Sequence, residues 1–131
     1  MRKFKFRAWD RKRKKFVYSD KYSCLTMFFR ILERRNTFYE DLQEWTGLKD
    51  KDGKDIYEGD IVIIEGSVKI HAYAKVGNPL CQVIFNEAEF FLKGIRNKVE
   101  YENLSEHTLN SRIEVIGNIF ENPSLLKNTR Q

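Results

Sequence analysis

Histidine is almost missing from these 131 residues, which contain only His71 and His107. His71 falls in a predicted strand and His107 in a polar loop. A lone strand histidine is far more often a core or edge residue than a catalytic base. No Ser-His-Asp order is supported, because with so few candidates every spacing is equally acceptable. Cysteine is as scarce: Cys24 and Cys81 stand far apart, and neither has a second Cys or His at ligand spacing. Two reduced core thiols are expected, with a disulfide as the lesser alternative. No apolar run approaches the roughly twenty residues needed to cross a membrane. The basic amino terminus alternates apolar and charged residues, unlike a signal peptide. Internal repeats and low-complexity segments are absent. A soluble, intracellular protein is expected.

What is present is a core and an uneven charge. Hydrophobic residues make up 41% and aromatics 14% of the chain, enough for one ordinary domain or two small ones. The net charge is +5. Residues 1–20 hold nine Lys or Arg against two Asp, whereas the remaining 111 hold fifteen basic against seventeen acidic residues. Basicity therefore belongs to one element. It suits a nucleic-acid backbone or an acidic face on another copy of the same chain.

Along the chain, Phe4, Phe6 and Ala8 alternate with Lys3, Lys5 and Arg7, predicting a half-exposed strand with one apolar and one basic face. Asp10 opens a turn through Arg11, Lys12, Arg13, Lys14 and Lys15, and Phe16-Val17-Tyr18 is the return strand. The tip cations either contact phosphate or simply stay solvated and protect an exposed edge. Leu25, Phe28, Phe29 and Leu32 fall on one helical face after a capping Ser23. Of the two adjacent phenylalanines, one is expected to face the hairpin. The other is left for an ordinary core position or an interface. Thr37 to Glu44 fits either a second short helix or a linker, and Trp45-Thr46-Gly47-Leu48 reads as a short strand. Beyond Gly59 the pattern is all β: Ile61–Ile64, Val68–Val76, Cys81–Phe85, Phe90–Leu92 and Arg112–Phe120, with a turn at Gly77-Asn78-Pro79. Residues 95–111 are predicted as a loop with a helical turn around 104–109. Asn122 and Pro123 open a last short helix pinned by Leu125 and Leu126, followed by a fraying tail.

One stretch organises the rest, from Gly47 through Asp52-Gly53 and Tyr57-Glu58-Gly59-Asp60 to Val62. Asp52-Gly53 is the strongest signal for a tight primed turn, and Glu58-Gly59-Asp60 bends the chain into the Ile61–Ile64 strand. The segment TGLKDKDGKDIYEGDIV resembles the signature of the YopX family of phage and prophage proteins. Arg2–Asp10 is similar to that family's opening strand. Glu114–Pro123, with Gly117 and Asn118 and followed by Leu125-Leu126, is similar to its closing strand and turn. The resemblance implies an α+β, mostly β chain: an N-terminal hairpin and helix over residues 1–45, then an SH3-like β-barrel over 46–131 with a short C-terminal helix. It also implies a phage or prophage accessory protein in the cytoplasm of a bacterial host. Tyr57, beside Glu58 and Asp60, lies where SH3-like barrels often present ligand residues, an analogy of fold only.

The remaining chemistry is sparse. The acidic loop Asp50–Asp55 fails as a calcium loop, since Lys54 and Asp55 occupy the places of a ligand and of the invariant glycine. Gly53 and Gly59 lack the pattern of a phosphate-binding loop. Glu87 and Glu89 read as solvated carboxylates. No metal or cofactor is implied. The expectation is a non-enzymatic protein that self-associates and binds another macromolecule, a nucleic acid or a phage or host protein. The alternative is a nucleic-acid-binding module using Arg11–Lys15, with Phe16 and Tyr18 stacking on bases if exposed.

Overall fold

Period-two patterning carries through to the fold, which is mostly β, with one α-helix among the described residues. The computed structural model describes residues 4–34, 39–71, 74–96, 100–101 and 112–127. Strand β1 (Phe6–Asp10) turns back into β2 (Lys15–Tyr18) as an antiparallel pair, Trp9 opposite Phe16. A 3-10 turn at Ser19–Lys21 leads to helix α1 (Leu25–Arg34). Cys24 O accepts the first intrahelical bond, from Phe28 N, so Cys24 and not Ser23 is the capping residue. Ser23 instead donates its hydroxyl to Met27 Sδ.

Strand β3 (Tyr39–Lys49) runs for eleven residues. Over 39–44 it stands in place of the helix or linker expected for 37–44, whose first two residues lie outside the described ones. The expected boundary at residue 45 falls inside this strand. Glu and Asp are poor strand formers, so the local pattern of Tyr39–Glu44 hides a strand that pairing with β1 on one side and β4 (Asp55–Tyr57) on the other stabilises. The order of this sheet is β2-β1-β3-β4. Between Ala8 and Trp9 the β1–β3 register shifts by one residue of β3, Asp41, which has φ 36°. This is a bulge.

β1 lacks the solvent face expected of it: Ala8 is buried and Phe6 half-buried on one side, and the cations of the other side are buried as well. Phe4 is 48% exposed, whereas Lys5 and Arg7 are 9% and 4% exposed. The side expected to meet solvent is covered by β4 and the turn after it, where Asp55 and Asp60 supply the counter-charges that a buried cation needs. In α1, Phe28 is fully buried against Tyr22, and Phe29, 37% exposed, lies 5.4 Å from the hairpin ring of Phe6.

From β5 (Asp60–Ile64) the chain forms the second sheet. The run over 68–76 is not one strand but β6 (Ser67–His71) and β7 (Ala74–Gly77), a separate two-stranded hairpin. Then follow β8 (Leu80–Asn86), β9 (Glu89–Gly94), the two-residue β10 (Glu100–Tyr101) and β11 (Ile113–Asn118). Their order is β10-β9-β8-β5-β11, all antiparallel, curled into a half-barrel. Ile56, Val62, Ile64, Cys81, Val83, Leu92 and Ile113 are fully buried in its core, with Val115 beside them. A 3-10 turn, Pro123–Leu126, closes the described chain. The helical turn expected around 104–109, His107 and the tail from 128 lie outside the described residues.

Two local expectations change. The two-residue primed hairpin turn is Glu87-Ala88, with φ 50° and 64°, between β8 and β9. Asp52-Gly53 instead belongs to a five-residue loop between β3 and β4, in which only Gly53 has positive φ. Both cysteines are free, but only Cys81 is a core residue. Cys24 is exposed.

Candidate functional site

The hairpin tip is built by one carboxylate. Asp10, 4% exposed, accepts hydrogen bonds at Oδ1 from the backbone N–H groups of Lys12 and Arg13, each at 3.0 Å. Its carbonyl accepts Lys14 N at 2.8 Å. The short acidic side chain thus fixes the turn backbone, while Lys14 takes the left-handed conformation at φ 57°. Arg11, Lys12, Arg13, Lys14 and Lys15 are all exposed. Beneath them, Trp9 stacks on Phe120 at 5.3 Å and meets the edge of Phe16 at 5.0 Å. Phe16 and Tyr18 are half-buried and their rings pack on protein, against Trp9, Phe120, Arg7 and Tyr57. They therefore do not present the open faces that base stacking requires.

The turn residues of the organising stretch form a second constellation. Asp60, 3% exposed, accepts Tyr57 N at 2.8 Å through Oδ2 and Arg7 Nη2 at 2.8 Å through Oδ1. Burial lifts the Asp60 carboxyl above its ordinary pKa, and the Arg7 guanidinium and the Tyr57 N–H act against that rise. Arg7 also donates from Nε to Gln43 Oε1 at 2.8 Å and from Nη2 to Glu58 O at 3.3 Å. Its guanidinium lies 4.0 Å from the Phe16 ring centroid and 4.6 Å from that of Tyr57. Gly59 has φ 87°, and a Cβ there would run into the Gln43 amide.

The closing turn docks on the same place. Gly59 O accepts Ile119 N at 3.0 Å. Asn118, 6% exposed, accepts Phe120 N and Glu121 N through Oδ1. Asn122 returns the favour as acceptor of Asn118 N, and a Cβ on Gly117 would strike its side chain. Asn122 precedes the last turn without a side-chain cap, and Pro123 occupies its first position, exposed.

In the β3–β4 loop, Asp50 is the organiser. It accepts Asp52 N and Lys54 N through Oδ1 and, across to β11, Val115 N through Oδ2, each at 2.9 Å. Gly53 N donates to Asp50 O at 3.0 Å. Gly47 sits in β3 with φ 87°, where the pairing with β4 is interrupted.

Between these turns opens a cleft of about 320 Å³. Arg7, Tyr18, Tyr57 and Asp60 line it, with Lys21, Lys54, Asp20 and Glu121 among its charged neighbours. Tyr57 is 5% exposed, and burial first, then the charges of Asp20 and Asp55, raises its phenol pKa. Sequence reasoning missed Arg7, Gln43 and Asp50. Arg7 was hidden in an alternation that fits a solvated face. Asp50 belonged to an acidic loop whose metal reading failed. Among the described residues, no group of His, Cys, Asp and Glu gathers as a metal site, and no helix is long and apolar enough to cross a membrane.

Arg7, the Tyr57–Asp60 turn and the Gly117–Asn122 turn come from three segments far apart in sequence, and they meet around one ion pair. The crystal structure of protein EF1440 from Enterococcus faecalis shares this fold: TM-score 0.59 and 24% identity, over 97% of this chain and all of that one. No curated protein matches the chain. The profile described as YopX protein matches residues 5–127, an interval that takes in all three turns and the strands that carry them. The chain belongs to the YopX family.

Proposed function

We propose that this is a non-enzymatic accessory protein of phage or prophage origin, working in the cytoplasm of a bacterial host by binding other macromolecules. The partner that the basic hairpin fits best is a nucleic-acid backbone. One observation carries this reading: five consecutive cations project from a turn whose backbone is pinned by the buried Asp10. Fixed cations lose less freedom on meeting phosphate than cations on a loose tail. Because Phe16 and Tyr18 pack inward, recognition is of backbone charge, without base stacking. The test is retention of duplex DNA and single-stranded RNA across a salt series. Each phosphate contact on duplex DNA steepens log K against log salt by about 0.9. The variant R13A/K14G/K15A should lose most of its low-salt affinity and flatten that slope by about 2–3. No retention of either nucleic acid at low salt rejects the reading.

A second reading, self-association, has its own support. Phe4, Met27, Phe29 and Leu42, all in the N-terminal layer, are 48%, 46%, 37% and 46% exposed. Such side chains mark association surfaces when they lie together. Sizing with light scattering at low and high salt tests it. A monomer at every salt and concentration removes it.

A further inference from the structure

Arg7 carries five N–H groups, and its neighbours use three. Nε donates to Gln43, and Nη2 to Asp60 and Glu58 O. Nη1 has no acceptor among the described residues, although the side chain is 5% exposed. The Phe16 and Tyr57 rings lie over the guanidinium and do not consume its in-plane N–H groups. The Tyr57 hydroxyl, on a residue 5% exposed, likewise has no hydrogen-bond partner among the described residues. Both residues line the cleft of about 320 Å³. Buried donors are ordinarily satisfied. Two donors without a protein acceptor among the described residues beside one cavity, of a size at the lower end for small-molecule sites, are placed to bind an acceptor that enters from outside.

We propose that this cleft binds a ligand through a carboxylate, with Arg7 Nη1 and the Tyr57 hydroxyl as donors and the tyrosine rings against the ligand's apolar body. The charge around the cleft selects a monoanion. Asp60 already neutralises part of Arg7. Of the other charged groups at the cleft, Lys21 and Lys54 are set against Asp20 and Glu121, and Asp55 is held by Lys5 and Lys49, so a dianionic phosphate meets as much repulsion as attraction. Tyr18, Tyr57 and Val115 give the wall its apolar surface. The carboxylate comes either from a free small acid or from the C-terminus of a peptide. This site is distinct from the basic tip, and its failure leaves the nucleic-acid reading untouched.

The test uses the full chain, isotope-labelled, with the Arg7 Nε–H and the Tyr18 and Tyr57 ring signals followed by NMR. The probes are N-acetyl-L-leucine, its amide, inorganic phosphate, and N-acetyl-Gly-Ala-Leu with a free or amidated C-terminus. The acids should bind about tenfold or more tightly than their amides and than phosphate, with shifts centred on Arg7, Tyr18 and Tyr57. A stronger response to the tripeptide acid assigns the source as a chain terminus; a stronger response to N-acetyl-L-leucine assigns it as a free acid. Tyr57→Phe keeps the ring and should weaken acid binding by about three- to tenfold, a larger loss than it causes in amide binding. Arg7→Lys should abolish the preference for acid. Because Arg7 also supports the fold, Tyr57→Phe and the acid–amide comparison on the unaltered protein decide independently. Equal response to acid and amide, no response at about 20 mM acid, or shifts at residues 11–15 in place of Arg7 overturns the proposal.

Discussion

Gly59 shows how one residue holds the turn constellation together. Its φ of 87° disfavours any side chain, and a Cβ would displace the Gln43 amide that accepts from Arg7. Gly59→Ala should cost about 1–3 kcal/mol from backbone strain alone, read as a drop in the urea midpoint with unchanged m. Asp60→Ala leaves the buried Arg7 charge uncompensated and should cost about 3–5 kcal/mol. Glu58 gives a pH signature. Burial raises its carboxyl pKa, the nearby Asp41 and Glu44 add to the rise, and the Glu44 N–H opposes it. The native state therefore takes up this proton before the unfolded chain does. Stability from this group rises as pH falls from neutral through the folded pKa, and levels off below the ordinary value of 4.5. Glu58→Gln should be at least as stable as the parent at pH 7 and should flatten that rise in denaturant titrations from pH 7 to 5. Asp55 behaves oppositely. Burial pushes its carboxyl up, but hydrogen bonds and charge from Lys49 and Lys5 outweigh this and lower it. Its stabilisation is present above pH 3.8 and is lost as pH falls through the lower folded value.

At the scale of elements, two loops are each built on a buried aspartate, and they should respond differently to substitution. Asp50 joins the β3–β4 loop to β11 by accepting Val115 N, a buried donor. Asp50→Ala should destabilise by about 1–3 kcal/mol, and hydrogen exchange at Val115 should accelerate. The hairpin tip tolerates more. Lys14 sits at φ 57°, so Lys14→Gly removes a charge while relieving a left-handed conformation. Its stability should stay level or rise by up to about 1 kcal/mol, checked by thermal melts, while nucleic-acid affinity falls. Much of this level was legible beforehand. The β1–β2 hairpin, the helix, the turn at Asn78-Pro79, and strands β5, β8, β9 and β11 follow from periodicity and turn residues. The primed turn did not, because Glu87 and Ala88 carry no positive-φ signal. The first half of strand β3 did not either, because Glu40, Asp41, Gln43 and Glu44 are strand residues only through their neighbours.

The whole molecule is stitched across its two sheets. Arg7 in β1 binds Asp60 in β5, Gly59 N donates to Val83 O in β8, and Phe120 stacks on Trp9. Elements joined this way should unfold together. Tryptophan fluorescence reports the N-terminal layer, where Trp9 and Trp45 both lie, and far-UV circular dichroism reports the whole. Their urea transitions should coincide. A fluorescence transition at lower urea would show instead that the layers are separate folding units, divided as the sequence had suggested near residue 45.

The order of residues alone determined the strand-rich class, the exposed cationic tip, the aliphatic core strands and the three segments that place the chain in its family. Each rests on local pattern: alternation, turn chemistry or a run of like residues. Only tertiary structure decided that Lys5 and Arg7 turn inward, that Asp50 and Asp60 organise loops, and that a cleft opens beside an incompletely satisfied guanidinium. Those outcomes depend on which carboxylate, ring or amide from a distant segment arrives at a given face. A charged residue on an alternating strand is soluble on one side and equally stable on the other once its counter-charge is there.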